Sequence, residues 1–204
     1  GVVLAADGLT DKNKLAIAQR VGLSETAFVS NSQTADFKLD FFTPNKQIAH
    51  CGHATVATYS YIKQTGIVKG NNSSKETIDG NRNISLKGNL AFMEQSKPNY
   101  KDVDHWETSI LTSLGIKKAD LIPNAPIKLV KTGNSFILIP VKSTAVLKSI
   151  KPNHSLISQI SEAFDLIGFY VFSTEVENKQ RDATTRMFGP RYNIFEESGT
   201  GMAA

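Results

Sequence analysis

Two stretches of this 204-residue chain concentrate groups able to move a proton or hold an anion. His50-Cys51-Gly52-His53-Ala54-Thr55 runs into an apolar helix, and Glu197-Ser198-Gly199-Thr200-Gly201-Met202-Ala203 leaves a strand through a glycine-bearing turn. A helix start leaves backbone N–H groups without intrahelical partners and carries partial positive charge. Glycine lets an anion come close, so Gly52 and Gly199/Gly201 are candidates to hold a carboxylate or a developing enolate. One such turn alone is ordinarily just a turn. Two at corresponding places in two halves point to a facing pair.

Glu25 follows a helix stop and precedes a strand, in Leu23-Ser24-Glu25-Thr26. A carboxylate there is ordinarily solvated; in a closed cleft, desolvation would raise its pKa towards working pH and make it a proton shuttle. His53, in the first helical turn, is either a local hydrogen-bonding group or a general acid/base. Cys51 beside the positive helix end is either buried and inert or a thiol with a lowered pKa. His50, His105 and His154 have no motif around them and are expected on the surface. His50 and His53 are spaced i, i+3 without an HExxH helix or an acidic cluster, so no metal is expected. Gly199-Thr-Gly201 is not a dinucleotide fingerprint, no P-loop is present, and no GxSxG elbow anchors a serine triad.

The elements that must position these residues follow from pattern. An opening strand spans 2–6, and a helix from Leu9 to Val21 is capped by Thr10 or Asp11 and stopped by Gly22. Strands are expected over 26–29 and 37–42, then an apolar helix from Gly52 to Ile62 with so little polar face that it reads as buried all round. Residues 66–82 read as a loop with an isolated strand near Thr77-Ile78, followed by a hairpin over 83–94 and a linker over 96–100. Beyond it come a helix ending at Gly115, strands near 127–131 and 136–141, helices over 144–149 and 155–165, and strands over 168–174 and 183–188. Helices and strands mixed without regular β-α-β alternation indicate an α+β protein.

Composition narrows the function classes. Lys and Arg number 23 against 19 Asp and Glu, hydrophobic residues make up 40% and charged residues 21%, which is globular and not disordered composition. Basic residues are dispersed without aromatic interleaving, so no nucleic-acid partner is expected. No apolar run approaches the ~18 residues of a membrane-spanning helix. The opening residues carry no basic n-region, so no signal peptide is expected. The single cysteine excludes an internal disulfide and suits a reducing, cytoplasmic setting.

Leu23-Ser-Glu-Thr-Ala-Phe-Val29, Phe41-Phe-Thr-Pro44, Cys51-Gly-His-Ala-Thr55, Arg186-Met-Phe-Gly-Pro190 and Glu196-Glu-Ser-Gly-Thr-Gly-Met-Ala203 together resemble the PhzF-like family of phenazine biosynthesis. They occur in the family's order across nearly the whole chain. The resemblance implies the diaminopimelate epimerase fold: two similar α+β domains, here 1–98 and 99–204, each a curved sheet around a central helix, with the active site between them. It also implies an isomerase that moves a proton on a small carboxylic acid, of the trans-2,3-dihydro-3-hydroxyanthranilate type, with no cofactor. Glu25 matches the acid/base glutamate and His53 the histidine of the GH motif. Backbone amides near Gly52 and Gly201, with Cys51 and Thr200 beside them, would hold the substrate. Family members are often dimers, so the resemblance allows a homodimer and leaves the oligomeric state open.

The resemblance has departures. Where the family reads E-D-P-x-T-G-S, this chain has Glu197 in the place of the aspartate, one methylene longer, and Met202 in the place of the serine. Gln47 stands where an acidic residue is common. Two other readings therefore stand beside the isomerase: a racemase or epimerase that uses Cys51 for one proton transfer, and a non-catalytic binding protein that keeps the fold. Family members run longer at both ends, so the chain is expected to be a piece of a longer polypeptide, with its second domain cut at the central helix.

Overall fold

Thr10 and Gly22 define the first helix as their types predict. The computed structural model describes residues 1–197, 200 and 201. In it the Thr10 side chain accepts from the Asn13 N–H, Asn13 reaches back to the Thr10 N–H, and Gly22 closes the helix at φ 67°. This helix, α1 (Asp11–Val21), connects β1 (Val2–Val3) to β2 (Thr26–Ser30), which lies parallel to β1. Next come β3 (Phe37–Phe42) and β4 (Gln47–Ile48), each antiparallel to the strand before it, then α2 (Gly52–Gln64). β5 (Asn72–Thr77), β6 (Gly80–Lys87) and β7 (Leu90–Met93) complete a sheet ordered β1-β2-β3-β5-β6-β7, with β4 beside β3. All of this lies in one compact unit, Gly1–Ser96.

The second unit, Lys97–Ala204, repeats that order of events. Its strands are β8 (Asn99–Asp102), β9 (Lys128–Lys131), β10 (Ser135–Pro140), β11 (Gly168–Ser173), β12 (Thr184–Gly189) and β13 (Ile194–Glu197), and its helices are α3 (Glu107–Leu114), α4 (Thr144–Ser149) and α5 (His154–Ala163). β10 and β11 are a parallel pair joined through α4 and α5, and β12 and β13 follow antiparallel. This is the β1-α1-β2-β3-β4 sequence again, and β13 ends at Glu197 at the step where β4 leads into Cys51–His53. A Cβ on Gly168 would meet the Phe188 carbonyl oxygen at 2.0 Å, so close β11–β12 approach requires glycine there.

Period-two alternation sorts the first sheet into two faces. Ala27, Val29, Leu39 and Phe41 pack with Ala54, Tyr59 and Ile62 of α2, while Phe28 and Phe42 pack with Ala18 of α1. The α1 face also buries an ion pair, with Lys14 Nζ 2.5 Å from Asp40 Oδ2. Gln47 Nε2 donates to the other Asp40 oxygen at 3.4 Å; an acid at 47 would instead set two carboxylates against each other. In the second unit α3, α4 and α5 cover one sheet face, and Phe136, Tyr170 and Met187 gather on the other. The fold is α+β, a curved sheet around a central helix in the first unit, as expected. The second central helix, expected from the Gly199–Ala204 turn, falls largely outside the described residues.

Four expectations are corrected. Residues 72–77 form β5 and 80–82 begin β6 instead of a loop, because Ser73, Lys75 and Thr77 alternate inward in place of apolar side chains. Residues 99 and 100, expected within a linker over 96–100, instead open β8, paired with β9. His50 is buried, not on the surface. α2 is not buried all round: Val56 and Tyr61 are exposed, while Thr55 and Thr58 are buried, their hydroxyls donating to the carbonyls of Cys51 and Ala54. Those local bonds let threonine fill the core without an unsatisfied hydroxyl.

The buried pair gives a stability test. Asp40→Ala strands the Lys14 ammonium and should lower the unfolding free energy by about 3 kcal/mol in urea titration, whereas Lys14→Met with Asp40→Leu should recover most of it. Equal losses in the single and double variants would contradict this account of the pair.

Candidate active site

β2 begins at Thr26, and the alternation that turns Ala27 and Val29 towards α2 turns Glu25 the same way. α2 begins at Gly52 with Cys51 as its extended N-cap, whose side chain makes no capping bond. These two starts bring three side chains together. His53 Nε2 lies 2.9 Å from Glu25 Oε2, and Cys51 Sγ lies 3.8 and 3.9 Å from the two ring nitrogens of His53. Cys51 is buried, Glu25 half-buried and His53 exposed. The Glu25–His53 contact has ion-pair distance, and among the described residues no other donor reaches the buried Oε2.

The cluster polarises its members. The Cys51 sulfur, and then the Glu25 carboxylate, push His53 up to about 10 against the opposing effect of burial. His53, and after it Ser24, hold Glu25 below the usual carboxylate range although burial works the other way. At neutral pH the pair thus rests as carboxylate and imidazolium: a base with an adjacent proton-bearing cation.

Among the described residues, Glu25, Cys51 and His53 are also the one group with donor atoms close enough for a metal ion, all within 4.8 Å of one another. Two ligands at about 2.0–2.1 Å on a tetrahedral ion stand roughly 3.3 Å apart, so Glu25 and His53 would have to separate before both could bind one. Their contact is that of an ion pair.

The other sequence-derived site residues lie in the second unit. Thr200 Oγ1 donates to Glu197 Oε2 at 2.7 Å, which fixes that carboxylate at the end of β13. A Cβ on Gly201 would meet nothing within 4 Å. Ser198, Gly199 and Met202 lie outside the described residues. Sequence reasoning missed Lys75 and His50, which stand behind the start of α2. Their signal was the inward alternation Ser73, Lys75, Thr77 within a polar run.

The family described as phenazine biosynthesis-like protein (PhzC-PhzF) matches residues 1–204. The chain is 31% identical over 210 residues to YddE of Salmonella typhimurium, named an uncharacterized isomerase, covering 100% of this chain and 70% of that one. It superposes on a PhzF-family phenazine biosynthesis protein of Bacillus anthracis with TM-score 0.85 and 29% identity, over 98% of this chain and 70% of that one. A predicted epimerase of Pseudomonas aeruginosa, at 18% identity and TM-score 0.73, covers 99% of this chain and 71% of that one and shares the fold.

The charge state of the pair sets a pH dependence. The raised His53 stabilises the fold fully below its ordinary 6.5 and loses that contribution as pH rises to about 10. The lowered Glu25 contributes fully above 4.5 and loses its part as pH falls further. The melting-temperature advantage of the native chain over Glu25→Gln should therefore be largest between 4.5 and 6.5 and shrink on both sides. Differential scanning fluorimetry across pH measures it; a difference flat from acid to alkaline pH would refute the assignment.

Proposed function

The chain belongs to the phenazine biosynthesis-like (PhzC-PhzF) family, and from that premise we propose that it is an isomerase moving a proton on a small carboxylic acid by glutamate acid/base catalysis. The observation that carries the reading is the buried Glu25 oxygen held 2.9 Å from His53 Nε2. Such a carboxylate can take a proton from a carbon acidified by a neighbouring acid or double bond and return it to another carbon. The His53 imidazolium offsets the negative charge that remains on the site when Glu25 is ionised, and it can hydrogen-bond the substrate. The N–H groups opening α2 near Gly52 bind the acid group and stabilise the enolate as it forms. Glu197, held by Thr200, is a second carboxylate of the reaction, and Gly201 belongs to the second anion-binding turn. The name isomerase carried by the relative supports the reaction class. The closest chemistry is that of trans-2,3-dihydro-3-hydroxyanthranilate isomerisation, and no cofactor is required by this scheme.

A second reading has one specific observation in its favour. Cys51 Sγ lies within 4 Å of both His53 ring nitrogens, a placement that lets the thiol exchange a proton in a racemase or epimerase.

Solvent-deuterium incorporation into a panel of cyclic and acyclic unsaturated acids tests both. Glu25→Gln should lower incorporation by at least about a hundredfold, the scale of a lost general base, while Cys51→Ala keeps it within a few-fold. Undiminished exchange in Glu25→Gln would overturn the proposal. Loss in Cys51→Ala alone would favour the thiol mechanism. No exchange and no thermal shift with any acid would favour a binding protein that kept the fold.

A further inference from the structure

Arg186 and Glu196 belong to motifs of the second unit that the proton-transfer scheme leaves unused, and they lie at a break in the pairing of β13. Met187 pairs with Glu197 and Gly189 with Ile194, so one residue of β12, Phe188, stands opposite two of β13, Phe195 and Glu196. This is a β-bulge, and it decides which face each side chain takes. Ile194 packs with Phe136, Tyr170 and Met187, and Glu197, opposite Met187, shares that face. Phe195 meets the ring of His154 at the start of α5, with centroids 5.1 Å apart, and Glu196 meets Arg186, both on the helix-covered face where Phe188 is buried. Strict alternation would instead place Glu196 with Ile194 and turn Glu197 to the other face. The two carboxylates are neighbours in the chain, and the bulge alone separates their destinations.

A bulge gives up regular pairing, and Phe195, 59% exposed, contributes little burial to hold this one. Arg186 supplies the hold. Its Nε donates to Glu196 Oε1 at 2.7 Å and its Nη2 to Oε2 at 2.8 Å, a fork on both carboxylate oxygens. Its Nη1 donates to the carbonyls of Leu147 and Ile150 at 3.0 and 3.1 Å. Those carbonyls end α4, where a helix leaves acceptors unpaired and favours a cation. The guanidinium also lies 4.9 Å from the centre of the Phe188 ring, the residue that the bulge faces. One side chain thus ties the bulged part of β13 to both β12 and α4. We propose that Arg186 is a positioning residue that pins the bulge through Glu196 and so presents Glu197, and not Glu196, on the Met187 face. The inference rests on the reading of Glu197 as a second carboxylate of the reaction, and it deepens that reading by naming what selects between two adjacent glutamates.

Cross-strand nuclear Overhauser contacts read the register without a substrate. The native chain should show Met187 opposite Glu197 and Gly189 opposite Ile194. In Arg186→Met, which keeps the stem and removes every donor, the Met187–Glu197 contact should be lost, whether β13 slips to set Glu196 opposite Met187 or parts from β12. If that variant does not fold, Glu196→Ala, at an exposed position, should release the bulge in the same way. A native Met187–Glu197 contact in either folded variant would overturn the proposal. Deuterium incorporation reads the consequence for the reaction. With an acid that the native chain turns over, Arg186→Met should lower kcat by about a hundredfold, the scale of a misplaced catalytic group, with KM within a few-fold. In a Glu197→Gln background the same substitution should cost nothing further, an equality that a merely structural role would not produce. A full further loss in that background, or a Glu197→Gln chain as active as the native one, would overturn the proposal. Register loss in Arg186→Met, together with a native chain that exchanges no proton into any acid, would overturn the isomerase reading and leave the selection of Glu197 by Arg186 standing.

Discussion

The placement of Glu25 depends on the phase of β2. Residues 25, 27 and 29 share a face only while the strand keeps its register, and that register is fixed on both sides, by β1 in parallel and β3 in antiparallel pairing. A slip of one residue would send Glu25 to the α1 face and Phe28 into the space of α2. The core makes such a slip expensive, because Phe28 is fully buried against α1 and Ala27 is fully buried against α2. The site thus inherits its precision from packing several residues away. α2 supplies the other half of the geometry, anchored by Tyr59, whose hydroxyl donates to the Ser74 carbonyl at 2.7 Å.

Charge is distributed around this frame in two different ways. On the α1 face, Lys14 and Asp40 neutralise each other at 2.5 Å, an arrangement that specifies how helix and sheet meet. On the α2 face one pair is matched, Glu25 with His53, and a second cation lies behind it. Glu25 lies 2.9 Å from His53, and among the described residues Lys75 has a hydrogen bond to Thr55 but no carboxylate paired with it. Incomplete satisfaction beside a helix N-terminus is what a site for a transient anion requires, since fully paired groups would have no capacity left for substrate.

Legibility in the sequence followed physical locality. The caps at Thr10 and Gly22, the span of α2 and the hairpin ending at β7 depend on near neighbours, and their residue types announced them. β5 and β8 were not legible, because both are polar strands whose pairing partners are distant in sequence: β5 with β3 and β6, β8 with β9. The burial of Lys75 left only the period-two placement of Ser73, Lys75 and Thr77 within a polar run as a mark, and nothing within a few residues of His50 marks it as core. Glu25, Cys51 and His53 stood out through their motifs, but Glu25 and His53 are 28 positions apart, and their 2.9 Å contact is a product of the fold. The turn at Glu197–Gly201 was visible as a repeat of the first, and the parallel order of strands in the two units gives that repeat a structural basis.

The account centres on the protonation state of the Glu25–His53 pair, and 15N NMR of the imidazole reads it directly. Both ring nitrogens of His53 should show imidazolium shifts at neutral pH and titrate only near about 10. A neutral imidazole for His53 at pH 7, titrating near its ordinary 6.5, would contradict the account.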